Sequence, residues 1–373
     1  MRLNVIKAYI LKEFTELFRS KIIVMVYFMP TMIIILFGYG IRMEVTDIRT
    51  VILDYDNSKL SLDLISKFEN SRYFDVDTLN ISEKDALSLI KKAKKDIIII
   101  IPAGFEKNLL KGIKSEIGIF IDASFPVRST TMENYTKGVI LHEAANLASE
   151  KGIEPKKLIE INQRYLFNQG LRDEDMIVPG LIGLVLLVAP AILSALLIVK
   201  EKEKGTIFNF YSSPVKKSEF LIAKLTPPFL LHSVNIFILF LWATYLFDVP
   251  FRGSFWLYWL SSELYIIISI GIGLLVSIIT STQIVAVVLS IIITIIPGFL
   301  YSGMLMPISS MEGESYIEAH IYPVMYYNHI VYDTFLVGNG IESPKNLLYL
   351  FILAAYGLFL IFLGSSMIKK ELK

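Results

Sequence analysis

The sequence predicts a polytopic α-helical membrane protein, with six transmembrane helices and an inserted extracytoplasmic α/β domain. Three observations carry that prediction. Hydrophobic residues make up 54% of the 373 residues and the mean hydropathy is +0.57, against roughly 45–50% apolar content in soluble domains. The apolar residues gather in runs that can cross ~30 Å of hydrocarbon, which takes about 20 helical residues. Between the first two runs lies a mixed-charge stretch, 42–175, in which strand-like and helix-like segments alternate. A net charge of +1 leaves no basic footprint for nucleic acid. The absence of cysteine excludes disulfides, thiolate metal sites and a cysteine nucleophile.

Residues 1–21 carry Leu3, Ile6, Ile10, Phe14 and Leu17 at helical spacing, with Lys7, Lys12 and Glu13 elsewhere on the wheel. That describes an amphipathic helix lying in the cytoplasmic interface; a plain extension of the first span is the alternative. The first span is 22–41. Gly38-Tyr39-Gly40 resembles a signal-peptide cleavage site. The apolar run, however, exceeds the about 7–15 residues of a signal core and Pro30 interrupts it, so it reads as a retained anchor.

Within 42–175 the residues read as follows. Thr50-Val51-Ile52-Leu53 is a strand, and Ser58 caps a helix over 58–69. A second strand covers 73–79; Ser82 then caps another helix, with Asp85 in the capping-box position. Residues 97–101 form a buried strand stopped by Pro102, 105–110 a short helix and 116–122 a fourth strand. Helices over 126–149 and 155–167 lead back to the membrane. The alternation implies a partly parallel sheet.

The remaining 176–373 holds five more spans, at 176–199, 225–247, 256–279, 284–304 and 346–368. The 264–310 run contains no Asp, Glu, Lys or Arg and divides at Thr280-Ser281-Thr282-Gln283. Lys and Arg set the orientation. Arg2, Lys7, Lys12, Arg19 and Lys21 fall on the same side as Lys200, Lys202, Lys204, Lys216, Lys217, Lys224 and Lys369, Lys370 and Lys373. The opposite short loops, 248–255 and 305–345, hold only Arg252 and Lys345. Both termini and the segment 200–219 are therefore expected in the cytoplasm, at a cell (inner) membrane.

Polar residues inside spans are candidates for a pathway. Glu263 is one, although a place near the outer N-terminus of its helix suits a carboxylate on dipole grounds alone. His232 and Asn235 are others; a polar contact between helices and a proton relay are the two readings. His142-Glu143-Ala144-Ala145-Asn146 approaches the zinc-protease helix but ends in Asn, which removes one ligand. Asp54, Asp56 and Asn57 lack the spacing of a calcium loop and read as a turn. No phosphate-binding Gly-x-x-x-x-Gly-Lys-Ser/Thr loop and no Gly-x-Ser-x-Gly elbow occur.

The most telling stretch is Lys200-Glu201-Lys202-Glu203-Lys204-Gly205-Thr206, closed by Ser213-Pro214-Val215. It reads as a short charged loop between two spans, its alternating signs offered to a partner protein. Gly205 permits a tight turn, and Pro214 suits the first position of the next helix. With Lys224, this stretch resembles the Arg-Glu-x-Glu-x-Gly-Thr coupling loop, Ser/Thr-Pro and Gly-Lys-Leu of the permease subunits of ABC-2 type exporters. Lys200 stands where the family has Arg and Ala223 where it has Gly. Arg19, Pro30 and Phe37-Gly38-Tyr39 are similar to the family's opening. Asp54-Tyr55-Asp56-Asn57-Ser58 and Ile101-Pro102-Ala103-Gly104-Phe105 resemble its external-domain signatures. Pro297-Gly298 to Gly303, Met306-Pro307 and the piece from Pro323 to Gly338 resemble its final extracellular segment, with Tyr332 where the family often has Arg.

The resemblance covers essentially the whole chain and reaches the subgroup with a large external domain after the first span. It implies a permease that exports a hydrophobic, drug-like or lipid-like substrate and has no enzymatic activity of its own. Its partners would be cytoplasmic ABC ATPase subunits, a second identical or related permease, membrane lipid and an envelope adaptor. This chain would bind no cofactor; ATP and Mg would sit on the ATPase. Arg19, Glu201, Glu203, Gly205, Thr206, Ser213, Pro214 and Lys224 would serve the coupling. The alternative is a membrane receptor or envelope docking protein whose external domain binds a ligand.

Overall fold

The computed structural model describes residues 3–41, 45–150, 166–170 and 172–368. The chain separates into two compact units, one of Met1–Ile41 with Arg164–Lys373 and one of Arg42–Gln163. The first opens with α1 (Leu3–Arg19) and α2 (Ile22–Gly40). The second holds β1 (Ile48–Asp54), α3 (Lys59–Glu69), β2 (Phe74–Thr78), α4 (Glu83–Lys91), β3 (Ile97–Ile101), α5 (Phe105–Leu110), β4 (Gly118–Ile121) and α6 (Pro126–Glu150). The first unit resumes with α7 (Asp173–Glu203), α8 (Ile207–Ser212) and α9 (Lys217–Leu241), which closes in the π-helical turn Trp242–Leu246. It continues through α10 (Phe255–Ile279), α11 (Gln283–Leu300), α12 (Glu314–Ile321), α13 (Pro323–Tyr332) and α14 (Pro344–Met367).

Six helices, α2, α7, α9, α10, α11 and α14, are long and apolar enough to cross a membrane. Each overlaps a span expected from the sequence. The axis of this unit is α7, which is buried continuously from Ile177 to Val188. A helix that is apolar all round has no solvent face to present and is stable only when packed on every side. Accordingly α2, α9, α10, α11 and α13 all pack on it. One tight approach is at Gly273 of α10, where an added Cβ would lie 2.0 Å from Ser194 Oγ and 2.2 Å from the Ala191 carbonyl oxygen. α11 buries Ala286, Ser290, Thr294 and Gly298; at four-residue spacing these small side chains share one face and let the helix close on its neighbour.

The other unit is a four-stranded sheet in the order β2-β1-β3-β4, with β1 parallel to both β2 and β3 and β4 antiparallel to β3. β3 consists of five isoleucines. Because side chains alternate across a strand, Ile97, Ile99 and Ile101 enter one core with Phe68, Phe105 and Met132, while Ile98 enters another with Val51, Leu53 and Ala86. Helices on both faces explain why this parallel strand is apolar throughout. Ser58 caps α3 as expected, in a reciprocal box with Ser61, and Ser82 caps α4 by accepting from the Asp85 amide. The Asp54–Asn57 stretch is a turn: Asp54 Oδ1 accepts from the amides of Asp56 and Asn57. The helix expected over 155–167 lies outside the described residues, except Leu166 and Phe167, which are not helical.

Candidate functional site

The charged run 200–204 is not a free loop. Lys200 to Glu203 form the last turn of α7, and the chain turns only at Lys204 and Gly205, whose φ of 72° is the left-handed region that glycine enters without strain. Between them the charges on that turn meet α1, α9, α10 and α11. Lys200 approaches Glu16 of α1 at 3.5 Å. Glu201 Oε1 lies 2.7 Å from Lys224 Nζ on α9 and 3.3 Å from Lys12 Nζ on α1, and its Oε2 accepts from the Thr206 hydroxyl at 2.6 Å. Lys202 donates to the carbonyls of Ser277, Ile278 and Thr280, at the C-terminal end of α10. Glu203 Oε2 accepts from the backbone amide and side-chain amide of Gln283, at the N-terminus of α11.

The signs are those the helix dipole favours: a cation where carbonyls are left over and an anion where amides are. Successive residues of α7 thereby staple the joint between α10 and α11 from both sides. Glu201 and Lys202 are thereby partly buried, which corrects the expectation of outward-facing charges for these two, while Glu203 and Lys204 stay exposed. A four-residue run at the end of a helix points its side chains around the full circle, so together they reach neighbours on several sides.

Lys224 is the centre of the arrangement. It is 2% exposed and lies between two carboxylates, Glu201 Oε1 and Glu13 Oε1, each at 2.7 Å. Glu13 is 1% exposed, which overturns its assignment to the polar side of α1. Residues 6, 10, 13 and 17 fall on one helical stripe, so Glu13 shares the buried face of Ile6 and Leu17. A carboxylate interrupting an apolar stripe was the available signal. Burial works against the Lys12 ammonium, but Glu201, Glu13 and Glu16 around it hold it above its usual range. These groups line a cleft of about 460 Å³ between α1, α7, α8 and α9.

α8 sits beside this cluster. Its Ile207 and Phe210 are buried, Phe210 stacks on Phe220 of α9 at 4.1 Å, and Phe208 is 53% exposed. Ser213 donates to the Phe210 carbonyl and Pro214 lies in the link that follows. Pro214 does not begin the next helix. α9 starts at Lys217, with the Lys216 amide bonded to the Glu219 carboxylate; a capping bond three residues on fixes the start more firmly than a proline's φ preference. Arg19 is exposed on the last turn of α1 and stands outside the cluster.

The expected pathway residues lie elsewhere. Asn235 donates to the Val26 carbonyl of α2 and to His232 Nδ1, one turn earlier on the same helix. His232 is buried and its Nε2 has no partner among the described residues. Glu263 is in the third turn of α10, deeper than a dipole role requires, and accepts from the Ser233 hydroxyl of α9 at 2.8 Å. No group of His, Asp or Glu among the described residues is arranged to hold a metal ion.

The sequence pattern of one family, described as ABC-2 family transporter protein, matches residues 20–365. "Probable multidrug ABC transporter permease YbhS" of Escherichia coli K12 is 26% identical over 344 residues, 92% of this chain and 90% of that protein. "Probable multidrug ABC transporter permease YbhR" of the same organism is 24% identical over 340 residues, 91% of each chain. "Inner membrane transport permease YhhJ" is 22% identical over 263 residues, covering 70% of this chain and 69% of its own. No solved structure matches.

Proposed function

We propose, from the premise that the chain belongs to the ABC-2 transporter family, that it is the permease subunit of an ATP-driven exporter. Separate ATPase subunits would hold ATP and Mg and dock at the end of the helical unit that carries α8 and α1. Two permease copies, or this chain and a relative, would enclose the pathway. The substrate would be an amphipathic, drug-like or lipid-like molecule, in keeping with the names of the multidrug relatives. In this reading both termini face the cytoplasm, the α/β unit lies outside an inner membrane, and the chain catalyses no reaction itself.

The observation that carries the reading is the cluster around Lys224. It joins α1, α7 and α9 through buried ion pairs, while Lys202 and Glu203 extend the connection to α10 and α11. A push on α8 or α1 would be passed to four of the long apolar helices at once. Glu201, Glu203, Thr206 and Lys224 are transmitting residues in this scheme. Gly205, Ser213 and Pro214 shape α8, which with Arg19 supplies the exposed contact surface. Glu263, His232 and Asn235 remain candidates for the pathway.

Phe208→Asp is the direct test, because that side chain is exposed and the substitution leaves the ion pairs intact. The purified variant should stay monodisperse yet fail to co-purify with the partner ATPase and fail to stimulate its hydrolysis. Undiminished association would remove α8 from the docking surface.

A further inference from the structure

The geometry points to a binding site for a lipophilic monovalent cation on the seam between α9 and α10, with Glu263 as the counter-charge. An apolar groove of about 480 Å³ runs between α9, α10 and α14, lined by Leu221, Leu225, Phe229, Ile267, Ile270 and Ile361. Residues three or four apart on a helix form one row. On α9 the row through Leu221, Leu225 and Phe229 continues to Ser233; on α10 the row through Ile270 and Ile267 continues to Glu263. The two rows meet where the Ser233 hydroxyl donates to Glu263 Oε2 at 2.8 Å. The carboxylate therefore lies one helical turn past the lining residues Phe229 and Ile267.

That carboxylate has no cationic partner among the described residues. α9 has no Lys or Arg beyond Lys224, and Lys224 is held by Glu13 and Glu201. α10 carries no other ionisable Asp, Glu, Lys or Arg, and the one such residue of α14, Lys345, lies in its first turn over the Tyr349 ring. An acidic side chain at membrane depth is costly and is ordinarily paired with a cation or placed on a substrate path. A single hydroxyl satisfies one lone pair of a group with about four acceptor sites. The missing charge is of the kind that an alkylammonium or phosphonium head supplies, and the groove offers apolar surface to its hydrocarbon part. The site gives a substrate class to the transport reading and rests on that reading for its role, though not for the binding itself.

The test is equilibrium binding of tetraphenylphosphonium to the full chain in phosphatidylcholine nanodiscs, without any ATPase. The same-shaped anion tetraphenylborate is the control for partition into lipid. The wild type should bind the cation saturably, and the anion should show only the unsaturable partition seen with empty nanodiscs. Glu263→Gln should weaken cation binding by roughly tenfold or more, the scale of one charge-assisted contact. Glu263→Asp should restore part of the loss. Ile267→Trp, which fills the groove and keeps the carboxylate, should weaken binding as well. Equal affinity in the wild type and Glu263→Gln, equal binding of cation and anion, or no saturable cation binding would each overturn the site. An ATPase that associates with the protein while cation binding fails leaves the transporter reading standing and removes only this site; the converse result removes the transporter reading.

Discussion

Lys224 Nζ lies 2.7 Å from Glu13 Oε1 while both side chains are almost wholly buried. An ion pair of that kind gains little over a well-packed apolar pair, but breaking it strands a charge and costs about 3–5 kcal/mol. Here the lysine is also bonded to Glu201 at the same distance, so three helices depend on one ammonium.

Lys224→Ala should therefore loosen α1 from α9. Limited trypsin digestion of the detergent-solubilised protein should cut at Lys12 and Arg19 faster in the variant, and the melting temperature should fall. The double variant Glu13→Met with Lys224→Met should recover much of the stability, because it removes both charges of the buried pair and fills the space, while Glu201 keeps Lys12 and the Thr206 hydroxyl. Equal protease sensitivity in wild type and Lys224→Ala would mean the buried pair does not anchor α1.

Glu203 and Lys202 make a separate prediction at the α10–α11 joint. Glu203→Lys places a cation against the start of a helix and should loosen the α10–α11 joint. Hydrogen exchange at the Gln283 amide should quicken with it, since Glu203 is its acceptor. Glu203→Gln, which still accepts hydrogen bonds, should change exchange far less.

In the α/β unit, Asp56 accepts from the backbone amides of Gly104 and Glu106 and so ties the turn after β1 to the start of α5. Burial opposes it, but those bonds with that of Ser58 hold its carboxyl below the usual range. Asp56→Ala should destabilise this unit by about 1–2 kcal/mol, the scale of a lost helix cap. Chemical denaturation followed at Tyr73 and Tyr135, whose rings lie 4.5 Å apart, would read it.

Asp96 predicts how the same unit responds to acid. Burial raises its pKa, but the bonds and charge of Arg49, with Arg128 beyond, outweigh that and hold the carboxyl below its ordinary value. A carboxyl whose folded pKa lies below its unfolded one, about 3.9, stabilises the fold fully above that value. The contribution is lost as pH falls through the folded pKa. Denaturation midpoints should thus drop below pH 4, and Arg49→Ala, costing about 2 kcal/mol at neutral pH, should flatten the drop. An unchanged acid profile in Arg49→Ala would contradict the assignment.

Much of the architecture was legible because hydrophobic period and length are local properties. The five isoleucines of β3 and the charge-free run divided at Thr280 to Gln283 mark their elements without help from the rest of the chain. The partners of Glu201, Lys202 and Glu203 were not legible. Apart from Thr206, they lie 23 to 189 residues away in sequence, and nothing local distinguishes a lysine that caps a distant helix from one that faces water. Glu13 was legible in principle, since a charge on an apolar stripe demands a buried partner, and Lys224 was already singled out. Pro214 shows the opposite case, a strong local preference yielding to the capping bond between Lys216 and Glu219.

In the exporter reading the Lys224 cluster transmits the motor's movement to the long helices. The measurement is transport of a labelled lipophilic cation per ATP hydrolysed, in proteoliposomes holding the permease and its ATPase, for wild type and Glu13→Met with Lys224→Met. The variant should assemble and hydrolyse ATP while transport per ATP falls by roughly tenfold or more. Unchanged transport per ATP in a stably assembled variant would contradict it.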